Sequence, residues 1–161
     1  NDVGRYYVNL FDATLANWCG AMPGTCVHAR VCGGNAVIEH NGDLYPCDHF
    51  VYPEYLLGNI RETDIKTLMQ SQKQTDFGLD KRSTLPTKCA RCKYLFACNG
   101  ECPKHRFNRT ENGETGLNAL CMGYFKFFNH VAPYMDMMKS LLQEKRAPAE
   151  IMPMIKLGLI R

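Results

Sequence analysis

The chain has 161 residues, 45% apolar, 11% aromatic and 22% charged, with 19 Lys and Arg against 16 Asp and Glu for a formal charge of +3. That length suits one domain with its own core, and the composition excludes a disordered or fibrous chain. No apolar run approaches the roughly 18–20 residues of a membrane helix, and no basic stripe marks a nucleic-acid partner.

In chain order, Tyr6–Phe11 reads as a strand that turns helical, with Phe11, Leu15 and Trp18 on one face and Asp12 as N-cap. Residues 19–34 form a loop punctuated by glycine and Pro23. Over 36–45 two short apolar runs flank Asn41-Gly42, which predicts a β-hairpin, because this dipeptide tolerates the positive φ of a tight turn. Ile65, Leu68 and Met69 predict a helix over 63–72, followed by a polar connector over 78–88. The segment 89–102 is too crowded with cysteines for regular structure. A long helix is expected from near Leu117, lined by Phe125, Phe128, Val131, Met135, Met138 and Leu142 and kinked or broken at Pro133. A last helix starts at Pro148 and runs through Leu157.

Nine cysteines are the chemical signature: Cys19, Cys26, Cys32, Cys47, Cys89, Cys92, Cys98, Cys102 and Cys121. An odd count leaves a closed disulfide framework with a spare thiol. The fraction, 9 of 161, also falls short of the roughly 8–10% of disulfide scaffolds. Metal or cluster ligation is the stronger reading, with disulfides and unrelated buried thiols as alternatives. A structural zinc ion favours two close pairs, and only one C-x2-C, Cys89/Cys92, is present. The second half is Cys98-x3-Cys102 with Pro103 directly after, which is like the C-x3-C-P ending of bacterial ferredoxins, where the last cysteine serves a second cluster. By that geometry Cys89, Cys92 and Cys98 share one cluster and Cys102 passes to another, so eight cysteines divide into two sets of four.

The full spacing is Cys26-x5-Cys32-x9-Gly42-x4-Cys47, then Cys89-x2-Cys92-x5-Cys98-x3-Cys102, then Cys121. It resembles the SPASM domain, the auxiliary iron–sulfur domain of radical S-adenosylmethionine enzymes that modify peptides. Tyr45-Pro46-Cys47-Asp48, Leu57-Gly58-Asn59-Ile60 and the run from Cys98 to Lys104 bring it nearest to the anaerobic sulfatase-maturating enzymes. The resemblance implies an α+β fold: a β-hairpin and cysteine-rich loops around two 4Fe-4S clusters, flanked by helices. It implies a cluster near the active site on Cys26, Cys32, Cys47 and Cys102, and an outer cluster on Cys89, Cys92, Cys98 and Cys121. Cubes with four thiolates each have no open iron, which leaves electron transfer as their role. The family reaction oxidises a Cys or Ser of a sulfatase to formylglycine, and Asp48 matches the family's catalytic aspartate. Partial desolvation beside a cluster ligand is expected to raise the pKa of Asp48 and make it a better base.

The same resemblance sets further expectations. The C-x3-C-x2-C that binds S-adenosylmethionine through a third 4Fe-4S cluster is missing, since Cys98-x3-Cys102 is followed by Lys104-His105-Arg106. The chain is therefore expected to be the C-terminal part of a longer enzyme and inactive alone. Residues 1–18 are then a remnant of the preceding barrel, 19–130 the SPASM domain and 131–161 C-terminal helices. The implied partners are a sulfatase polypeptide and an electron acceptor such as flavodoxin or ferredoxin. Asn1 opens with no signal-like segment, and the expected compartment is the cytoplasm. Another peptide-modifying radical enzyme and a zinc-binding module are the competing readings.

Several features have simpler readings. Cys19 has no cluster slot and is expected as a buried thiol. His28, His40, His49, His105 and His130 lack a common metal spacing, and His49 alone is placed near substrate by its neighbour Asp48. Tyr94, Leu95 and Phe96 shield the outer cluster, the methionines of the last helices are core, and Lys104 and Arg106 either offset cluster charge or are solvated.

Overall fold

A computed structural model describes residues 3–160, which divide into two compact units. The first comprises the described parts of Asn1–Ala29, Arg91–Asn99 and Leu120–Arg161, and the second comprises Arg30–Ala90 and Gly100–Ala119. Helices and a small antiparallel sheet make an α+β chain.

The first unit is helical. Its elements are α1 (Asn9–Trp18), a turn at Cys26–His28, α5 (Leu95–Cys98), α6 (Cys121–Gln143), and a turn at Pro148–Glu150 leading into α7 (Ile151–Lys156). Trp18, Tyr94, Ala97, Phe128, Met135, Met138, Leu141 and Ile151 form its core. The indole N–H of Trp18 donates to Asp136 at 2.8 Å and ties α1 to α6. Asn17 donates to the carbonyls of both His28 (3.1 Å) and Ala97 (3.0 Å), which fixes the 26–28 turn and α5 against α1.

Three expectations are corrected here. Tyr6–Phe11 is not a strand, because α1 already begins at Asn9 and Tyr6 and Tyr7 are exposed. The long helix starts at Cys121, not Leu117, which instead bridges to Asn108 in the second unit. It also runs unbroken through Pro133 for 23 residues, about 35 Å. Proline inside a helix costs about 3 kcal/mol. Phe128 before it and Met135, Met138 and Leu141 beyond it all bury in one core, so separating the two halves would cost more.

The second unit is built on a three-stranded sheet, β1 (Val37–Ile38), β2 (Asp43–Tyr45) and β3 (Gly58–Asn59), in that order. The hairpin forms as expected, with Val37 opposite Tyr45 and Ile38 opposite Leu44. Only Gly42 of its Asn-Gly pair has positive φ (94°), and the Asn41 side chain accepts from the Asp43 N–H at 3.0 Å. The loop is thus a turn closed by a left-handed glycine, and not a two-residue turn with both residues left-handed. β3, from the Leu57–Ile60 motif, was not legible as a strand. Asn59 holds it by donating to the Asn41 carbonyl (3.1 Å) and the Asp43 carboxylate (3.0 Å).

The expected 63–72 helix is α2 (Ile65–Met69), capped by Asp64, which accepts from the Thr67 N–H at 3.2 Å. The first part of the expected 78–88 connector is instead the end of α3 (Gln72–Ser83), whose buried residues Gln74, Gly78 and Lys81 keep helical spacing without an apolar side chain, while 84–86 are irregular as expected. Residues 89–102 are also less irregular than expected, containing the second half of α4 (Thr87–Ala90) and all of α5.

Phe128 is 1% exposed at the centre of the first unit. Phe128→Ala is expected to cost about 3–5 kcal/mol, against about 0.5 or less for Leu157→Ala at an exposed position, read from urea unfolding midpoints.

Candidate metal centre

Pro46 leads β2 into Cys47, which starts a tight turn over Asp48–Phe50. The Cys47 sulfur accepts the main-chain N–H of His49 at 3.5 Å, and its thiol donates to Asp48 Oδ1 at 3.2 Å. The ring Nδ1 of His49 lies 3.5 Å from the sulfur of buried Cys102. One ligand atom from each of Cys47, Asp48 and His49 lies within 4.8 Å of the others. Burial pushes the Cys47 thiol up to about 11, and the charge of neighbouring Asp48 and Cys102 adds to the shift, while the His49 N–H opposes it. The structure thus places the sulfurs of Cys47 and Cys102 on either side of His49.

Asp48 differs from expectation. It is exposed, and the hydrogen bond from the Cys47 thiol holds its carboxyl below the ordinary carboxylate range. The short turn leaves the side chain exposed, so the raising effect of desolvation is outweighed by that hydrogen bond and by neighbouring His49.

Cys32 is half-buried and donates its N–H to the Gly78 carbonyl at 3.1 Å. A Cβ on Gly78 would sit 2.7 Å from the Cys32 carbonyl oxygen, so this approach of α3 to the Cys32 loop requires glycine. Gln74, one turn earlier, donates to the Gly33 carbonyl at 2.7 Å. Cys89, in α4, completes the cysteines of this unit.

In the first unit Cys92 and Cys98 pack against the aromatic core, and the Cys92 sulfur accepts the Tyr94 N–H at 3.4 Å. Cys121 is the first residue of α6, and Cys26 lies exposed in the 26–28 turn. Cys19 is exposed too, not the buried thiol expected, because α1 ends at Trp18 and that indole takes the core position. Tyr94 is buried as expected, whereas Phe96 is 46% exposed.

The cysteines fit an iron–sulfur group on two observations. Among the described residues no cysteine is held in a disulfide. Cys47 and Cys92 each receive a main-chain N–H from the residue two positions on, the kind of hydrogen bond that stabilises a thiolate ligand.

Sequence reasoning missed the polar surroundings of this site. Buried Glu101 accepts from Asn118 at 2.6 Å and pairs with His105 Nδ1 at 2.8 Å. The His105 ring lies 6.1 Å from the ring of His49. Arg106 is buried rather than solvated, and donates to the carbonyls of Gly100, Lys81 and Glu101. Lys104 reaches the Tyr52 hydroxyl and lies 4.3 Å over that ring. The Glu101/His105 spacing of four was the one trace of this network in the sequence.

Residues 26–93 match the SPASM family, an iron-sulfur cluster-binding domain. Those residues form a SPASM-type domain within the chain. Over its wider length the chain is similar to anaerobic sulfatase-maturating enzymes. A serine-type enzyme from Bacteroides thetaiotaomicron is 54% identical over 160 residues, covering 99% of this chain and 39% of the relative. A cysteine-type enzyme from Clostridium perfringens is 32% identical over 129 residues, 80% of this chain and 34% of that one. A solved structure of anSMEcpe with bound AdoMet superposes with a TM-score of 0.70 at 28% identity, covering 84% of this chain and 35% of that one. A second, with AdoMet and a Kp18Cys peptide, gives 0.66 at 26% identity, covering 81% and 35%. The chain thus spans well under half the length of these relatives.

Gly78→Ala is expected to destabilise the chain by about 1–3 kcal/mol through the clash with Cys32. Gly34→Ala, where a Cβ meets nothing within 4 Å, should stay within about 0.5 kcal/mol in the same denaturant titration.

Proposed function

We propose that this chain is the auxiliary-cluster region of a radical S-adenosylmethionine enzyme that oxidises a serine or cysteine of a sulfatase to formylglycine. The observation that carries the reading is 54% identity to a serine-type sulfatase-maturating enzyme across 99% of the chain. S-adenosylmethionine and its own cluster belong, in this reading, to a part of the enzyme outside these 161 residues, and the chain alone is inactive. No helix among the described residues is long and apolar enough to cross a membrane. Cysteines set aside for metal ligation rather than for disulfides suit a reducing compartment, for which the cytoplasm is the proposal.

Cys26, Cys32, Cys47 and Cys102 hold one 4Fe-4S cluster in this reading, and Cys89, Cys92, Cys98 and Cys121 hold the other. The adjacency of Cys47 and Cys102 around His49 supports the first set. The packing of Cys92 and Cys98 on one core supports the second. Fully thiolate-ligated clusters supply one-electron transfer when bound, with flavodoxin or ferredoxin as the proposed external acceptor. Asp48 takes the proton from the substrate hydroxyl or thiol. As a cluster ligand Cys47 is a thiolate and no longer donates to Asp48, which leaves that carboxylate free as an acceptor. The bound polypeptide, and not the fold itself, then supplies its desolvation.

In the natural polypeptide that carries this chain, assayed without oxygen on a serine- and a cysteine-containing sulfatase peptide, formylglycine is the expected product. Asp48→Asn should keep the iron and lower turnover by about 10²–10⁴, the usual contribution of a positioned base. Unchanged turnover would reduce Asp48 to a turn residue, and a colourless protein holding stoichiometric zinc would instead support the zinc-module reading.

The ligand sets are tested separately. Anaerobically prepared chain is expected to hold about eight irons, four per cube. Cys102→Ala should lose the irons of its own set and spare those on Cys89, Cys92, Cys98 and Cys121, as read from iron content and spectra of each set's variants. Selective loss of the other cluster would overturn the partition.

A further inference from the structure

We propose that His49 is a positioning residue for electron transfer, donating one hydrogen bond from its main chain to the Cys47 sulfur and a second from its ring to the Cys102 sulfur. The proposal rests on the ligand set assigned above. Both contacts are 3.5 Å, within the longer reach of hydrogen bonds to sulfur, and they come from opposite ends of one residue. The first is fixed by the tight turn over Asp48–Phe50 and is independent of the side chain at position 49. The second exists only while the imidazole carries its proton on Nδ1.

His49 is exposed, and a second imidazole lies beside its ring. His49 lies 6.1 Å, centroid to centroid, from His105. His105 is in turn held by the carboxylate of Glu101, 4% exposed, whose Oε2 also accepts from Asn118. Cys102, which receives the ring, is the buried member of the pair, and its neighbour Pro103 has no N–H to offer. A donor at a thiolate withdraws electron density from the metal group. It favours the reduced, more negative state over the oxidised one, so the ring N–H raises the reduction potential. Asp48, one residue earlier, serves the substrate, so adjacent side chains would have separate roles: Asp48 in proton removal and His49 in the ease of electron acceptance.

The test is a redox titration, followed by electron paramagnetic resonance, on the natural polypeptide reconstituted with iron and sulfide without oxygen. His49→Phe keeps a ring and the main-chain donor but has no ring N–H. It should move the potential of one auxiliary cluster downward by threefold or more in the one-electron equilibrium constant, about 28 mV, and leave the other unmoved. His49→Asn places an N–H where Nδ1 stands and should restore the wild-type potential; His49→Gln, with its N–H one atom farther out, should not. Unmoved potentials in the Phe variant with iron retained overturn the proposal, as does an equal downward shift in Phe, Asn and Gln. If the Phe variant cannot hold its iron, the Asn and Gln variants decide: a wild-type value for Asn with a lowered one for Gln supports the proposal, and equal values overturn it. Wild-type protein lacking the clusters altogether would count against the cluster reading itself, and that result is read before any variant is made.

Discussion

Three residues separate Cys98 from Cys102, and the backbone of all three runs through positive φ: 50° at Asn99, 71° at Gly100 and 55° at Glu101. Residues with a Cβ lose roughly 1–2 kcal/mol each in that region, so the reversal persists only because both ends are held. The Asn99 side chain donates to the carbonyls of His28 (2.8 Å) and Phe96 (3.2 Å). Beyond it, Arg106 donates to the carbonyls of Gly100 (2.9 Å) and Glu101 (3.1 Å), and a charged donor to a buried acceptor contributes about 1.5–3 kcal/mol. A helix continuing from Cys98 would set residue 102 one turn on, over the same face. The reversal instead leaves Cys98 with the first unit and passes Cys102 to the second.

A turning away of the chain between Cys98 and Cys102 was legible from the spacing, through its likeness to the C-x3-C-P ending of ferredoxins. The hairpin was legible from Asn41-Gly42, and the apolar face of α6 from Phe128, Met135 and Met138. What escaped did so for physical reasons. The strand expected at Tyr6–Phe11 came from aromatic β-propensity, which lost to the packing of Leu15 and Trp18 on a helix. α3 buries Gln74, Gly78 and Lys81, so hydrophobic periodicity had nothing to detect there. β3 contributes only Gly58 and Asn59 and is held by side-chain hydrogen bonds, which carry no composition signal.

The polar interior of the second unit suits the ligand role proposed for it. A region that carries Cys32, Cys47 and Cys102 on short loops has little chain left for an apolar core. Its buried set therefore includes Gln74, Lys81, Glu101, Arg106, Thr110 and Asn118. Buried polar groups cost stability unless satisfied. Arg106 bonds to three carbonyls, while Glu101 accepts from Asn118 and pairs with His105. The same bonds fix the backbone on both sides of Cys102. A purely apolar filling could supply comparable burial energy, but not the direction that a planar guanidinium imposes on carbonyls from Lys81, Gly100 and Glu101.

The turn after β2 shows the same economy of chain. The backbone is extended at Cys47 and turns tightly over Asp48–Phe50. One ligand atom from each of Cys47, Asp48 and His49 thereby comes within 4.8 Å of the others. The sulfur of Cys47 lies beside Cys102, the exposed carboxylate of Asp48 accepts from the Cys47 thiol, and the ring of His49 reaches the Cys102 sulfur. A continuing strand would have sent Asp48 to the face opposite Cys47 and His49, and the three groups could not converge. The proposed grouping of ligand, base and donor thus depends on β2 ending at Tyr45, where Pro46 takes the next position without an N–H to extend the ladder.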